Sequence, residues 1–89
     1  MVRIETNSNF EKERKKFIKN NLQLAEKVIK AINLLTENPR HPGLNLEKLK
    51  GSNIWTVRID KGNRIYLTWI DKDKVFLLDI GPHDKYRKY

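Results

Sequence analysis

The sequence predicts an α+β domain of two layers in the order β-α-α-β-β-β, a helical hairpin packed on one face of a small antiparallel sheet. Three observations predict it. Apolar residues recur at three- and four-residue steps only in the first half of the chain. Three runs rich in β-branched and aromatic residues, joined by short linkers, fill the second half. A single break, "NPRHPG" at 38–43, separates the two.

Residues 2–6, "VRIET", alternate as a short half-buried strand, and "NSN" supplies turn and N-cap chemistry before a charged helical stretch. From Leu22 the apolar positions Leu24, Ala25, Val28, Ile29, Ile32 and Leu35 make one stripe, with Lys27 and Lys30 off it. "KNN" at 19–21 favours caps and turns, which divides the helical region into two helices. Proline then restricts the residue before it and Gly43 permits left-handed backbone, so the second helix ends. After a connecting segment, "LNLEKLKGSN", strands are expected at 54–60, 64–70 and 75–81, joined by "KGN" and "DKDK" as an antiparallel meander. The last of these is apolar almost throughout, as if covered on both faces.

All 89 residues read as one domain: no repeat, low-complexity tract or linker interrupts them. The absence of cysteine excludes a disulfide framework and thiolate metal sites, and fits a reducing compartment. "MVRIETNSNF" lacks the apolar region of a signal peptide, and no run approaches the roughly 20 apolar residues of a membrane span. A soluble cytoplasmic protein with no membrane partner is expected. Nineteen Lys and Arg against 11 Asp and Glu give a net charge of +8, which favours a polyanionic partner such as nucleic acid or an acidic protein.

Strand parity places the chemistry. Trp55, Val57 and Ile59 share one face with Ile65, Leu67 and Trp69, the natural partner of the helices. Thr56, Arg58 and Asp60 then share the open face with Arg64, Tyr66 and Thr68. The "GPHDKYRKY" that follows the last strand lets His83 swing toward Arg58 and Arg64. Two guanidiniums can hold a phosphodiester and stabilise the charge that grows on it. A histidine, with an unperturbed pKa of ~6.5, can transfer protons, and a tyrosine can stack on a base. These groups suffice for RNA cleavage, because the RNA 2′-hydroxyl is itself the nucleophile. No metal-ligand spacing and no phosphate-cradling glycine motif appears, so no metal and no cofactor is expected.

Bland readings stand beside this one. Arg58 and Arg64 also suit a solvated face, salted to Asp60 and Asp71, and His83 could cap a strand end. His41 suits a loop, and Trp55 and Trp69 suit the core. Lys48 and Lys50 are either solvated or electrostatic guides for RNA.

The succession "NPRHPGLNLEKLKG", "WTVRIDKGNRIYL" and "DIGPHDKY" resembles the RelE/ParE superfamily of toxins over almost the entire chain. The resemblance implies a RelE-like microbial ribonuclease fold and the toxin of a type II toxin–antitoxin system, an endoribonuclease cleaving mRNA. It also implies the 70S ribosome and a cognate antitoxin as partners. It makes Arg58 the basic residue of the second strand, Arg64 the hairpin arginine on the scissile phosphate, and His83 the acid or base. Tyr86 is the preferred functional aromatic and Tyr89 the alternative. Asp84, Arg87 and Tyr89 join Lys48 and Lys50 as candidate RNA contacts, unless the last residues are a solvated tail. The chain departs from the pattern in lacking its dense set of second-strand lysines, with Thr56 in the place of one. The ParE branch shares the fold but poisons DNA gyrase, and a non-catalytic RelE-fold binding module is the other alternative; His83 beside Asp84 and Tyr86 favours the ribonuclease branch.

Overall fold

The computed structural model describes residues 1–88, apart from the side chains of Tyr86 and Lys88. The chain runs β1 (Arg3–Glu5), α1 (Ser8–Ile18), α2 (Leu22–Glu37), β2 (Glu47–Lys48), β3 (Trp55–Arg58), β4 (Asn63–Asp71) and β5 (Lys74–Pro82), with 3₁₀ segments at Pro42–Leu44 and His83–Lys88. Both α-helices begin on an asparagine. Asn7 Oδ1 accepts from Phe10 N at 2.8 Å and Asn21 Oδ1 from Leu24 N at 3.0 Å, which satisfies an amide that helix geometry leaves orphaned. Asn20, at φ 58°, makes the left-handed step between them that asparagine tolerates.

The five strands are ordered β1-β5-β4-β3-β2. β2 to β5 pair antiparallel, as the meander predicts. β1 instead lies parallel to β5, with Ile4 opposite Val75, so the sheet is mixed and not wholly antiparallel. Its partner is the last strand in sequence, and the direction in which the meander delivers that strand sets the sense of pairing. β2 is an addition to the predicted order, two residues inside the segment read as a connection.

Val57, Ile65, Leu67, Val75, Leu77 and Ile80 meet Phe10, Val28, Ala31, Leu35 and Leu44 in one core. Each Val, Leu, Ile or Phe side chain among them contributes about 1.5–3 kcal/mol when fully buried. Trp55 and Trp69 pack against this core partly buried, on the face that parity assigns them. The stripe of α2 is narrower than its periodicity suggests: Leu22 and Ile29 are 76% and 59% exposed, because the sheet covers only the Val28, Ala31 and Leu35 side. No helix among the described residues is long and apolar enough to cross a membrane.

Candidate functional site

The face of the sheet away from the helices is only partly open. Thr56, Arg64, Tyr66 and Asp79 are all buried on it, covered where the chain turns back after β5. The cause lies at the β5 edge. Among the described residues β1 pairs only with Lys74–Phe76, and no strand covers the rest of that edge. Side chains complete it instead: Asp79 Oδ1 accepts from Ile80 N at 2.8 Å, and Lys85 Nζ donates to Ile80 O at 2.9 Å. Buried backbone groups are thereby satisfied without another strand. Lys85 Nζ also bonds Asp79 Oδ1 at 2.9 Å and lies 3.9 Å from Glu13 Oε2 on α1. Gly81 makes room for this reach, since a Cβ there would meet Lys85 Cδ at 2.7 Å.

This anchoring sets where His83 begins the 3₁₀ segment. Its amide donates to Gly62 O in the β3–β4 hairpin at 2.8 Å. Its carbonyl accepts from the fully buried Tyr66 hydroxyl at 3.0 Å, and Pro82 O lies within reach of the same hydroxyl at 3.1 Å. Both backbone groups are therefore held while the residue itself is exposed. Tyr66, which parity puts among the open-face residues, is a buried strut beneath the histidine.

Arg64 is held by the same hairpin. Its Nη1 donates to Asp60 O at 3.0 Å and Asn63 O at 2.9 Å, and the residue is 8% exposed. Asp60 Oδ1 in turn accepts from Gly62 N and Asn63 Nδ2, which shapes the loop that presents those carbonyls. With Nη1 engaged, Nη2 and Nε are the donors left for an anion. Arg64 and His83 line one cavity of about 140 Å³ with Thr56, Leu49 and Glu47. Glu47 faces it because β2 pairs Glu47 with Thr56, and Asn45 Nδ2 donates to its Oε1 at 3.1 Å.

The cavity thus joins Arg64 with His83 but not with Arg58. Arg58 stands opposite Arg64 in the β3–β4 register, yet it is exposed and lines a different cavity, with Lys27, Lys30 and His41. Neither arginine forms an ion pair with Asp60 or Asp71 among the described residues; Asp60 approaches Lys27 at 4.0 Å. Lys48 pairs with Trp55 and so belongs to the opposite side of β2 from Glu47, while Lys50 is exposed in the following turn. Asp84 and Arg87 are exposed in the 3₁₀ segment. The Tyr86 side chain and Tyr89 lie outside the described residues. Glu47 is the cavity residue that sequence reading missed. Its strand is two residues long, too short for alternation to register, although "LEK" pairing with "WT" would have revealed it.

Two helices against this five-strand mixed sheet make the RelE-like fold, that of the RelE/ParE toxin superfamily. Solved structures that share the fold include toxins. A metal-bound toxin from Helicobacter pylori is 29% identical over 96% of this chain and 98% of its own, with a TM-score of 0.68. A YoeB/ParE toxin from Agrobacterium tumefaciens, 15% identical, covers 92% of this chain and 99% of its own with a TM-score of 0.76. The heterotetrameric YoeB-YefM toxin-antitoxin complex from Staphylococcus aureus has a chain of TM-score 0.71 and 19% identity, covering 93% of this chain and 98% of its own. No protein-family model matches the sequence, nor does any curated protein sequence. Among the described residues no three His, Asp or Glu side chains are grouped to hold a metal ion.

Proposed function

We propose that this protein is the toxin of a type II toxin–antitoxin pair, acting in the cytoplasm as an endoribonuclease on ribosome-associated mRNA. The observation that carries the reading is the single cavity lined by Arg64, His83 and Glu47. The toxin neighbours, one of them in a toxin-antitoxin complex, support the toxin role and a cognate antitoxin as partner.

The chemistry follows from the three side chains. The Glu47 carboxylate takes the proton of the RNA 2′-hydroxyl, and that oxygen attacks the adjacent phosphorus in line. Arg64, pre-positioned by its two carbonyl contacts, stabilises the negative charge that grows on the phosphoryl oxygens. The His83 imidazolium gives its proton to the departing 5′-oxygen. The products are a 2′,3′-cyclic phosphate and a 5′-hydroxyl. Tyr86 or Tyr89 stacks on a base beside the cut, and Asp84, Arg87, Lys48 and Lys50 are outer contacts to the RNA. Arg58 holds RNA beyond the cleft.

Induced expression followed by primer extension on cellular mRNA tests the proposal. Wild-type protein is expected to arrest growth and produce discrete cleavage ends, and His83→Ala to do neither. Full arrest and full cleavage by His83→Ala would sink the assigned role. Inhibited supercoiling by the purified protein without RNA cleavage would select gyrase poisoning instead.

A further inference from the structure

We infer that the cavity between α2, the Pro42–Leu44 turn and the end of β3 is a second phosphate-binding site, which holds the backbone of single-stranded RNA as it leaves the Arg64–His83 cleft. The inference rests on the ribonuclease reading above for its choice of polyanion. The cavity measures about 300 Å³, and Lys27, Lys30, His41 and Arg58 line it around Leu34 and Leu44.

Lys27 and Lys30 stand three residues apart on α2, a spacing at which like charges repel across the helix surface. Among the described residues no carboxylate lines the cavity. Lys27 has one long ion pair outside the lining, 4.0 Å from Nζ to Asp60 Oδ2, while Asp60 Oδ1 accepts from Gly62 N and Asn63 Nδ2. His41 adds a donor: Nδ1 accepts from Gly43 N at 3.0 Å, so the ring proton of the neutral imidazole is on Nε2. The four groups come from three separate elements, and packing of the turn against α2 and β3 brings them to one place.

Arg58 connects this cavity to the cleft. It is the β3 partner of Arg64, so the two Cα atoms are about 4.5–5.5 Å apart across the antiparallel pair. β2 covers β3 at Trp55 and Thr56, and among the described residues no strand covers the Val57–Arg58 edge. A nucleic-acid backbone can therefore pass from Arg64 around that edge to Lys27 and Lys30 without leaving positive charge. This continuity with the cleft selects RNA over an acidic peptide as the occupant.

Lys27→Glu/Lys30→Glu tests it, made in the His83→Ala background so that RNA is bound without being cut. Both lysines are exposed on α2, and the helical circular dichroism of the variant should match its parent. A neutral Lys27→Gln/Lys30→Gln pair separates lost attraction from new repulsion. Affinity for a labelled single-stranded oligoribonucleotide is expected to fall at least tenfold in the charge-reversed protein. For the neutral pair the slope of log K against log salt should shrink by about 1.4, two phosphate contacts at about 0.7 each. Parent-like affinity and slope in both variants would overturn the site while leaving the nuclease reading intact. Failure of the parent itself to bind RNA would remove both. Loss of polyglutamate binding with RNA binding intact would also overturn it, in favour of an acidic protein partner.

Discussion

Lys85 Nζ lies 2.9 Å from Oδ1 of Asp79, a carboxylate with no exposed surface, and this contact closes the edge of β5 over which the C-terminal segment is laid. Lys85→Met removes the ion-pair partner of a fully buried carboxylate, at a cost of up to about 3–5 kcal/mol. Because the Lys85 side chain is 27% exposed, the lower end of that range applies. Lys85→Met should lower the unfolding free energy by about 3 kcal/mol with an unchanged denaturant slope. Gly81→Ala should act in the same direction, because the new Cβ occupies the space of the lysine chain. A Lys85→Met midpoint equal to wild type would show that the contact contributes nothing.

Glu47 and His83 should separate on a substrate whose departing 5′-oxygen is replaced by sulfur, a leaving group that needs no proton. On an ordinary oligoribonucleotide Glu47→Gln and His83→Ala are each expected to lose about 10²–10⁴ in rate. The sulfur substrate should restore cleavage to His83→Ala and not to Glu47→Gln. Restoration in both variants, or in neither, would refute the division of roles.

Arg64 has two duties that substitution can distinguish. Arg64→Ala forfeits the bonds to Asp60 O and Asn63 O, about 1 kcal/mol each, as well as the cleavage rate. Arg64→Lys keeps the charge without the planar fork, and should retain substrate affinity better than it retains kcat. Loss of affinity in Arg64→Lys with kcat unchanged would assign the arginine to binding alone.

At the start of α1, Arg14 bonds the Glu11 carboxylate at 2.9 Å from Nε, and the Thr6 hydroxyl donates to its other oxygen at 3.0 Å. The hydrogen bond from Arg14 is the main cause that holds Glu11 below the ordinary carboxylate value of 4.5. A carboxyl whose folded value is depressed contributes stability that is present above its unfolded value and lost as pH falls through the folded one. Glu11→Gln should therefore lower the melting temperature slightly at neutral pH, and the difference should vanish below the acidic end of that window. A gap that persists in strong acid would point to lost packing and not lost charge.

The layers of the fold were legible because they follow from periodicity. Three- and four-residue steps mark α2, alternation marks β3 and β4, and Asn7, Asn21 and "NPRHPG" end or begin helices by local chemistry alone. The same alternation puts Arg64 and Tyr66 on the face away from the helices, as their pairing with Arg58 and Thr56 shows. Three features have no local signature. The parallel pairing of β1 with β5 joins residues some seventy positions apart, and register over that distance is a property of the closed sheet. Glu47 enters the cleft through a two-residue strand that has meaning only once β3 is beside it. The burial of Asp79 under Lys85 depends on how far β1 reaches along β5, so a residue that reads as a polar interruption in an apolar strand becomes the anchor beneath His83. Periodicity and caps act between neighbours in the chain, whereas edges, cavities and buried charges exist only between elements already assembled.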